Sequence, residues 1–462
     1  MFLPKQDIPD LYEAGIVELQ AGLDAGRFTS IDLATAYLAR IEEVNAQGGE
    51  LRAVMEVSPF ALKVAAKLDE ERRSSGKRTM LHGLNTTAGS HALLGSIVSD
   101  DAGVVKRLRQ AGAIILGKVN MSELAYFRGS IPSGWSGRGG QCKSAYHPIG
   151  SPSGSSSGSV LPITAAQDTV GPMTRSVEDA AIVLSIIAGE DPNDRRTLSQ
   201  PRPVPDYIKA LDANALHGKR IGVPRSSMPS NPADALPQSM CSVFDESLRI
   251  MESLGATIVD PANLPSADEI KGLDHLVLYV DFKIELNEYL SALKEVPTGV
   301  RTLADLIQFN IDHAELELPE GYSDQGELIK SQATNGRDEI YGKALAKNLE
   351  LGVTRGIDAV LKEYNLDALV LPAKDTHTPA AIAGYPTVTV PLGFFPGDEP
   401  VTYDGPIAYP APGMPFGLTF IGTAFDEYAL IGMAYAFEQK TKVRTSRRAI
   451  AEAVPKTQLR AE

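Results

Sequence analysis

The 462-residue sequence contains few of the residues that mark several classes of protein. It has two cysteines, one tryptophan and seven histidines. Two cysteines cannot build a network of disulfides, which favours a reducing compartment. The histidines and cysteines also lack the spacing of metal ligands. We therefore expect neither a metal ion nor another cofactor.

Long apolar runs and an excess of positive charge are lacking too. Lysine and arginine number 44 and aspartate and glutamate 58, which gives a net charge of −14. Because nucleic acids and membrane surfaces are polyanions, we expect neither as a partner. The apolar run over 180–188 is too short to cross a bilayer, and the first residues show no signal-peptide pattern. These features predict a cytoplasmic protein.

The patterns that are present indicate alternating helices and strands. Hydrophobic residues make up 43% of the chain and charged residues 22%, as in a folded protein. Thr29 and Ser30 are typical first residues of a helix, and residues 59–73 predict a second helix. A short helix over 101–110 leads into the apolar run 113–116, which predicts a buried strand. Further helices are predicted over 176–187, 239–254, 338–364 and 427–439, and further strands over 220–223, 256–259, 367–371, 387–390 and 417–421.

This alternation predicts one large α/β domain over residues 1–462, with a mixed, mostly parallel sheet flanked by helices. Residues 1–80 are predicted to be its helical N-terminal portion. The stretch 396–415 is rich in proline and glycine, which favours a long surface loop.

Residues 129–160 are dominated by glycine and serine and also hold the only tryptophan, Trp135. Such a stretch can be a flexible linker. A linker rarely contains a tryptophan between two apolar segments, however. A glycine- and serine-rich turn also lets the backbone approach a ligand and adopt unusual geometry. We favour a functional loop over a linker.

The run Gly154-Ser-Ser-Ser-Gly-Ser159 resembles the Gly-Gly-Ser-Ser-Gly-Gly core of the amidase signature family. Other blocks resemble the family in the expected order, so the resemblance covers nearly the whole chain. They are Leu-His-Gly at 81–83, Asn-Thr-Thr-Ala-Gly-Ser at 85–90, Ala-Gly-Ala-Ile-Ile-Leu-Gly-Lys-Val-Asn-Met-Ser-Glu at 111–123, Gln-Asp-Thr-Val-Gly-Pro-Met-Thr-Arg-Ser at 167–176, Ala-Gly-Tyr-Pro-Thr-Val-Thr-Val-Pro at 383–391 and Gly-Leu-Thr-Phe-Ile-Gly at 417–422.

The resemblance implies an enzyme that cleaves the C–N bond of linear amides through an acyl-enzyme. The family uses a nucleophilic serine, a bridging serine on a cis peptide bond, and a neutral lysine as base. On this resemblance Ser155 takes the cis-serine position and Ser156 is its supporting hydroxyl. Gly154 leaves room for the cis geometry, and Ala125 and Ser130 are candidates for the substrate pocket.

Two family blocks have no counterpart here. The lysine block should follow His82-Gly83, but the chain runs directly into Leu84. The nucleophile block should follow Gly158-Ser159, but the chain runs directly into Val160. The resemblance implies losses of about 15 and about 45 residues, and the longer loss is large enough to include a core strand. The signature region, 81–195, thus carries two apparent deletions, and 196–462 holds the rest of the sheet and a closing helix.

Other candidate residues favour structural roles. Lys118 matches a family position at the end of a strand. His82 and His377 lie near family-like blocks, and each is more simply a structural histidine. Asp168 and Arg175 could form an ion pair that holds the fold.

Three hypotheses remain open. The natural protein carries both blocks and hydrolyses a small amide, the present sequence being incomplete because of a gene-prediction error. Alternatively, the chain is an inactive amidase-like binding or scaffold protein. The third hypothesis is the amidase subunit of a transamidation complex. The oligomeric state is unreadable, with a homodimer as one option.

Overall fold

The structure, a computed structural model, describes residues 8–74, 87–152, 154, 161–229, 235–374 and 376–460. Its helices form a largely N-terminal group and a larger group after residue 176. They are α1 Ile16–Asp24, α2 Ser30–Asn45, α3 Ala61–Ser74, α4 Gly103–Gln110, α5 Val177–Ile187, α6 Gln238–Ser253, α7 Ala267–Lys271, α8 Leu276–Ala292, α9 Leu303–Asp312, α10 Ala314–Glu317, α11 Gly326–Gln332, α12 Glu339–Leu349, α13 Asp358–Glu363, α14 Thr378–Ala383 and α15 Glu427–Thr441.

The strands are short, and most of them lie in the second half of the chain. They are β1 Val54–Val57, β2 Gly117–Val119, β3 Trp135–Ser136, β4 Gly140–Gln141, β5 Arg220–Gly222, β6 Thr257–Val259, β7 Ala368–Pro372, β8 Thr387–Phe394, β9 Tyr403–Asp404, β10 Ile407–Ala408 and β11 Pro415–Ile421.

One five-stranded sheet organises the second half of the chain, in the order β6-β5-β7-β11-β8. β5 runs parallel to β6 and β7, whereas β11 runs antiparallel to β7 and β8. The sheet is therefore mixed, and with its flanking helices it confirms the predicted α/β class. Four of its five strands share one direction and β11 alone is reversed, which agrees with the predicted mixed, mostly parallel sheet.

The largest hydrophobic core lies between one face of this sheet and the helices α6 and α15. Val370, Leu418 and Phe420 point into it from neighbouring strands, and Phe244 and Phe437 meet them from the two helices. All five side chains are at most 1% exposed. Leu418 and Phe420 are two positions apart in β11, so both side chains lie on the same face of the sheet.

A second core is helical and lies around the signature region. It is formed by apolar side chains of α8, α9 and α11 together with residues 88–127. Phe127 packs on Phe282 of α8, with ring centroids 4.9 Å apart. This core fixes the segment that leads into the glycine- and serine-rich stretch.

Several predicted elements are confirmed with their caps. Thr29 accepts a hydrogen bond from the Asp32 amide at 3.1 Å, and the Asp32 carboxylate accepts from the Thr29 amide at 2.7 Å, so the residue pair closes the first turn of α2. Ser176 caps α5 by accepting from the Asp179 amide at 3.1 Å. The predicted helices and strands after residue 200 are found within one to four residues of the expected ends.

Two local predictions are wrong. The run 113–116 is neither a strand nor buried; the strand β2 begins at Gly117 and pairs only with β1 among the described strands. Gly117 determines where pairing begins, because a Cβ there would lie 2.4 Å from the Glu56 carbonyl oxygen. The stretch 396–415 is not simply a surface loop. It contains the hairpin β9–β10, and its apolar members Ile407, Ala408 and Met414 are buried.

None of the helices in the described ranges is both long enough and apolar enough to span a lipid bilayer.

We expect Phe420→Ala to lower the free energy of unfolding by about 3–5 kcal/mol, because it leaves a cavity at the centre of the main core. Phe420 is fully buried and lies edge-on to Phe437. Urea denaturation followed by circular dichroism measures the change. Tyr403→Ala is the matched control, since Tyr403 is 67% exposed and should cost less than about 0.5 kcal/mol. Equal effects of the two substitutions would contradict this account of the core.

Candidate active site

The backbone after β2 makes a strained turn. Leu124, Ala125 and Tyr126 have φ angles of 49°, 55° and 74°, in the left-handed region. This conformation costs a residue with a Cβ roughly 1–2 kcal/mol. Burial holds the turn in place: Leu124 is 1% exposed, and its amide donates to the Ala88 carbonyl at 3.0 Å. Strain of this kind persists only where the surroundings enforce it, and it often marks functional sites.

A buried contact between a glutamate and an arginine adjoins the turn. The side chains of Glu123 and Arg128 are both fully buried, and Arg128 Nη1 lies 3.1 Å from Glu123 Oε1. Arg128 Nη2 donates to the backbone carbonyls of Glu317 and, at 3.1 Å, Tyr322. One guanidinium thus joins the strained turn to the segment after α9, almost 190 residues further along the chain.

Glu317 brings a second carboxylate into the same space. Its Oε1 accepts from the His91 amide at 2.6 Å and from the Ser90 hydroxyl at 3.1 Å, and the His91 ring Nδ1 lies 3.3 Å away. The Gly137 amide donates to Glu123 Oε2 at 2.8 Å. A Cβ at Gly137 would lie 2.6 Å from Glu317 Oε2, so the glycine allows this approach. We call Glu123, Arg128, Glu317 and His91 the buried charge cluster.

The cluster contains more negative than positive charge unless a proton is bound. Burial of the carboxyl, with the nearby Glu317 carboxyl adding to it, raises the pKa of Glu123 to about 8, although the Arg128 guanidinium acts in the opposite direction. Glu123 therefore carries a proton at neutral pH. A protonated Glu123 can also share its hydrogen with a neighbouring carboxylate, which lowers the repulsion in the cluster.

Aromatic rings close one side of the cluster. Trp135 is 5% exposed and stacks on Tyr322, with ring centroids 4.7 Å apart. The Arg128 guanidinium lies over the Trp135 ring, 4.9 Å from its centroid. All of residues 131–136 are buried. The linker hypothesis is therefore wrong for this part of the glycine- and serine-rich stretch.

Ser122 connects the later part of the stretch to this buried region. Its side chain is fully buried; the Oγ atom accepts from the Gly134 amide at 2.8 Å and lies 3.4 Å from the Gly154 carbonyl oxygen as a donor. Asn120 Oδ1 similarly accepts from the Ser136 hydroxyl at 2.7 Å. Two side chains just beyond β2 thus hold the turns that lead to and from β3.

The predicted site residues are only partly described. Ser155 and Ser156 lie outside the described residues, as do both junctions at which family blocks are lacking. Gly154 is exposed and is held near Ser122. Ala125 lies in the strained turn and is half-buried. Ser130 is exposed, and its amide donates to the Asp324 carboxylate at 2.5 Å.

The other candidates have structural surroundings. Lys118 lies opposite Glu56 in the β1–β2 ladder, and burial lowers the pKa of its ammonium group. The proposed pair of Asp168 and Arg175 is wrong: Asp168 accepts from the amides of residues 163 and 164, and Arg175 pairs with Glu13 at 3.2 Å. His377 is exposed just before α14, and His82 lies outside the described residues.

Sequence reasoning did not find the buried charge cluster. Glu123 and Arg128 are five positions apart within apolar neighbours, which is a weak local signal of a buried pair. Nothing near Glu317 in the sequence indicates that it joins them, because only the packing of α9 and α10 brings it there.

Comparisons with known proteins identify this architecture as that of amidases. The amidase family model matches residues 32–166 and 157–431, so the chain belongs to the amidase family. It is similar to a probable amidase of Arabidopsis thaliana, with 34% identity over 501 aligned positions that cover 94% of this chain and 91% of the relative.

Solved structures give the same result. The chain resembles the native peptide amidase of Stenotrophomonas maltophilia with a TM-score of 0.83 and 36% identity, covering 97% of this chain and 100% of that one. It also resembles the peptide amidase PAM in complex with the competitive inhibitor chymostatin, with a TM-score of 0.81, 36% identity, and coverage of 94% and 98%. The fold is therefore the amidase signature fold.

We expect Arg128→Met to lower the free energy of unfolding by about 3–5 kcal/mol, because the buried Glu123 carboxyl and the backbone carbonyls of Glu317 and Tyr322 would lose their guanidinium. Thermal and urea unfolding measure the loss. Arg249→Met is the control, since Arg249 is 70% exposed and pairs with Glu246 on the surface; it should change stability by less than about 1 kcal/mol. A loss below about 1 kcal/mol for Arg128→Met would contradict the structural role of the cluster.

The raised pKa of Glu123 predicts a pH dependence of stability. An unfolded glutamate titrates near 4.5 and the folded one at about 8, so the folded chain binds one more proton between these values. This contribution is fully present below the unfolded pKa and is lost as the pH rises through about 8. Glu123→Gln cannot titrate, so its stability relative to the wild type should improve from pH 5 to about pH 8 and level off above that.

Denaturation midpoints across this pH range test the prediction. Glu315→Gln is the control, because Glu315 is exposed two residues from Glu317 and should give a constant difference from the wild type. A difference for Glu123→Gln that is equally constant would show that Glu123 titrates normally.

Proposed function

We propose that the natural form of this protein hydrolyses the C–N bond of a linear amide through an acyl-enzyme, and that this form carries both blocks that the 462-residue chain lacks. The chain itself keeps the amidase fold without turning over amides. The observation that carries the proposal is family similarity along nearly the whole chain, together with a family-model match that falls into two parts meeting at residues 157–166.

The alignments support the loss of internal segments. The alignment with the Arabidopsis relative extends over 501 positions, although the chain has 462 residues. The family model matches in two separate parts that meet at residues 157–166. This is where the nucleophile block should lie on the sequence resemblance. Both observations favour a family member that has lost residues beside its glycine- and serine-rich core.

The surviving surroundings also favour an enzyme. The strained turn at 124–126 and the buried charge cluster both cost free energy. Such features are retained where precise positioning is needed. Ser122, which adjoins Glu123, connects them to Gly154 through a contact of 3.4 Å with its carbonyl oxygen. A chain that had long served only as a scaffold would not need this arrangement.

The proposed mechanism assigns roles to named residues. Ser155, as the cis-serine, passes a proton from the nucleophilic serine of the absent block to a neutral lysine of the other absent block. Ser156 supports Ser155 by hydrogen bonding, and Gly154 leaves space for the peptide geometry. Ala125 and Ser130 line the side where the acyl group binds. No metal ion takes part in these steps.

The substrate is a small-molecule amide in this proposal. The similar peptide amidase PAM binds chymostatin as a competitive inhibitor, which supports a pocket for a peptide-like amide. We further propose a cytoplasmic location, no nucleic-acid or membrane partner, and a possible pairing of two copies. The net charge of −14 supports the absence of polyanionic partners.

An inactive binding protein is the second candidate. One observation favours it: neither the lysine block nor the nucleophile block has a counterpart in the sequence. The two candidates differ in the transcript. Sequencing it across the codons for Gly83 and Ser159 should reveal both blocks if the enzyme proposal holds, whereas continuous codons would favour the binding protein.

We expect the purified 462-residue chain to release no ammonia from a simple aliphatic or aryl amide, because it lacks a base and an attacking hydroxyl. Insertion of a relative's two blocks after Gly83 and Ser159 should restore hydrolysis. Ser155→Ala in that restored chain should then reduce kcat by at least about 100-fold. The exposed Ser253→Ala is the control.

Ammonia release by the unmodified chain, abolished by Ser155→Ala, would refute the proposal of inactivity. A folded, restored chain with no activity on any amide tested would refute the proposed enzyme.

A further inference from the structure

Residues 101–119 form a helix and a strand but include no buried residue. α4 has no buried side chain, and neither β2 nor its partner β1 has one. By contrast, every residue of β7 in the main sheet is buried. An amphipathic helix and an adjoining strand normally bury one apolar face against the rest of the domain. We call α4, residues 111–116, β2 and β1 the uncovered unit.

The uncovered unit exposes apolar side chains that are normally buried against another segment or molecule. Val57 and Val119 are 44% and 49% exposed. The β1–β2 ladder pairs with no further strand among the described residues. A group of partly exposed apolar side chains on a folded protein marks a surface that another segment or molecule covers. Its remaining members are only partly buried: Val104, Val105, Leu108, Ile114, Ile115 and Leu116.

The uncovered unit lies close to the place where the chain is shortened. β2 ends at Val119, and three residues later Ser122 lies 3.4 Å from the Gly154 carbonyl oxygen. Gly154 comes five residues before the junction of Ser159 and Val160. A segment inserted at that junction would begin within a short length of chain from the end of β2.

We infer that the uncovered unit is the seat of the segment that amidase relatives carry and this chain lacks after Ser159. One strand of that segment extends the β1–β2 ladder, and its apolar side chains cover α4 and residues 113–116. The inference rests on the proposed function, since it takes the segment to be part of the natural form. The occupant is argued from the alignment of 501 positions against 462 residues and from the family matches that meet at 157–166.

Hydrogen exchange tests whether the segment packs on the uncovered unit, without any measurement of activity. The corresponding segment of the Stenotrophomonas maltophilia peptide amidase is inserted between Ser159 and Val160, with each of its serines replaced by alanine. Amide exchange in residues 54–57 and 103–119 should become at least about tenfold slower than in the 462-residue chain. Exchange in β7 should not change, because β7 is buried in both proteins. An insert of the same length and composition in scrambled order is the control.

A second measurement keeps the test valid if the inserted chain is poorly folded. Ile115→Asp in the 462-residue chain should lower the melting temperature by less than about 2 °C, because Ile115 is already partly exposed. In the chain with the segment, the same substitution should lower it by more than about 5 °C. Ile221→Asp, at a fully buried position, is the positive control in both chains.

Equal protection by the scrambled insert, or none by the true segment in a folded chain, would overturn the inference. So would a 462-residue chain that is dimeric and already protected over 103–119, because a second copy would then be the occupant. Loss of the proposed enzymatic activity would leave these exchange rates unaffected, so the two proposals fail separately.

Discussion

The signature half of this protein depends on one buried guanidinium. Arg128 contacts Glu123 beside the strained turn and the backbone at Glu317 after α10. Because all three side chains are removed from water, neither carboxyl can be left without a partner or a proton. The same arginine supports Trp135, and the Gly137 amide completes the site. Helices from the middle of the chain and loops from its first third are therefore held in one arrangement.

The main sheet follows a different rule. Its stability comes from apolar side chains that alternate along β7 and β11 and meet helices α6 and α15. The hydrophobic contribution to this stability is roughly proportional to the apolar area buried. The two halves of the protein are thus stabilised differently. The half with the main sheet has a core of aliphatic and aromatic side chains, whereas the signature half combines a helical core with buried charged groups.

The elements of the main sheet were predicted well from the sequence, because the signals for these helices and strands come from neighbouring residues. The apolar run 417–421 and the helix beginning at 176 are signalled by neighbouring residues, and both the strand and the helix are found. The prediction failed at residues 113–116, where a buried strand requires partners that the described residues do not supply. The cluster around Arg128 was invisible for the same reason: Glu317 joins it only through tertiary packing. The expected catalytic serines, Ser155 and Ser156, rest on resemblance alone.

The family signal and the physical signal therefore point to the same part of the chain. The family model matches in two parts that meet at residues 157–166, next to the glycine- and serine-rich stretch. The unit with no buried residue ends three residues before Ser122, which contacts Gly154 of that stretch. A domain that loses an internal strand leaves its former neighbours exposed. The lack of buried residues over 101–119 thus indicates an incomplete core, and this argument does not depend on any catalytic residue.

β8 has a further consequence for handling the protein. It is an eight-residue edge strand without a charged side chain, and among the described strands only β11 pairs with it. Pro391 removes a single N–H donor from its row. Edge strands of natural sheets usually carry lysines or are covered by a loop or helix, which prevents pairing with a strand of another molecule. Overproduction of this chain would crowd many such edges together, and inclusion bodies are the expected product in place of dissolved monomer.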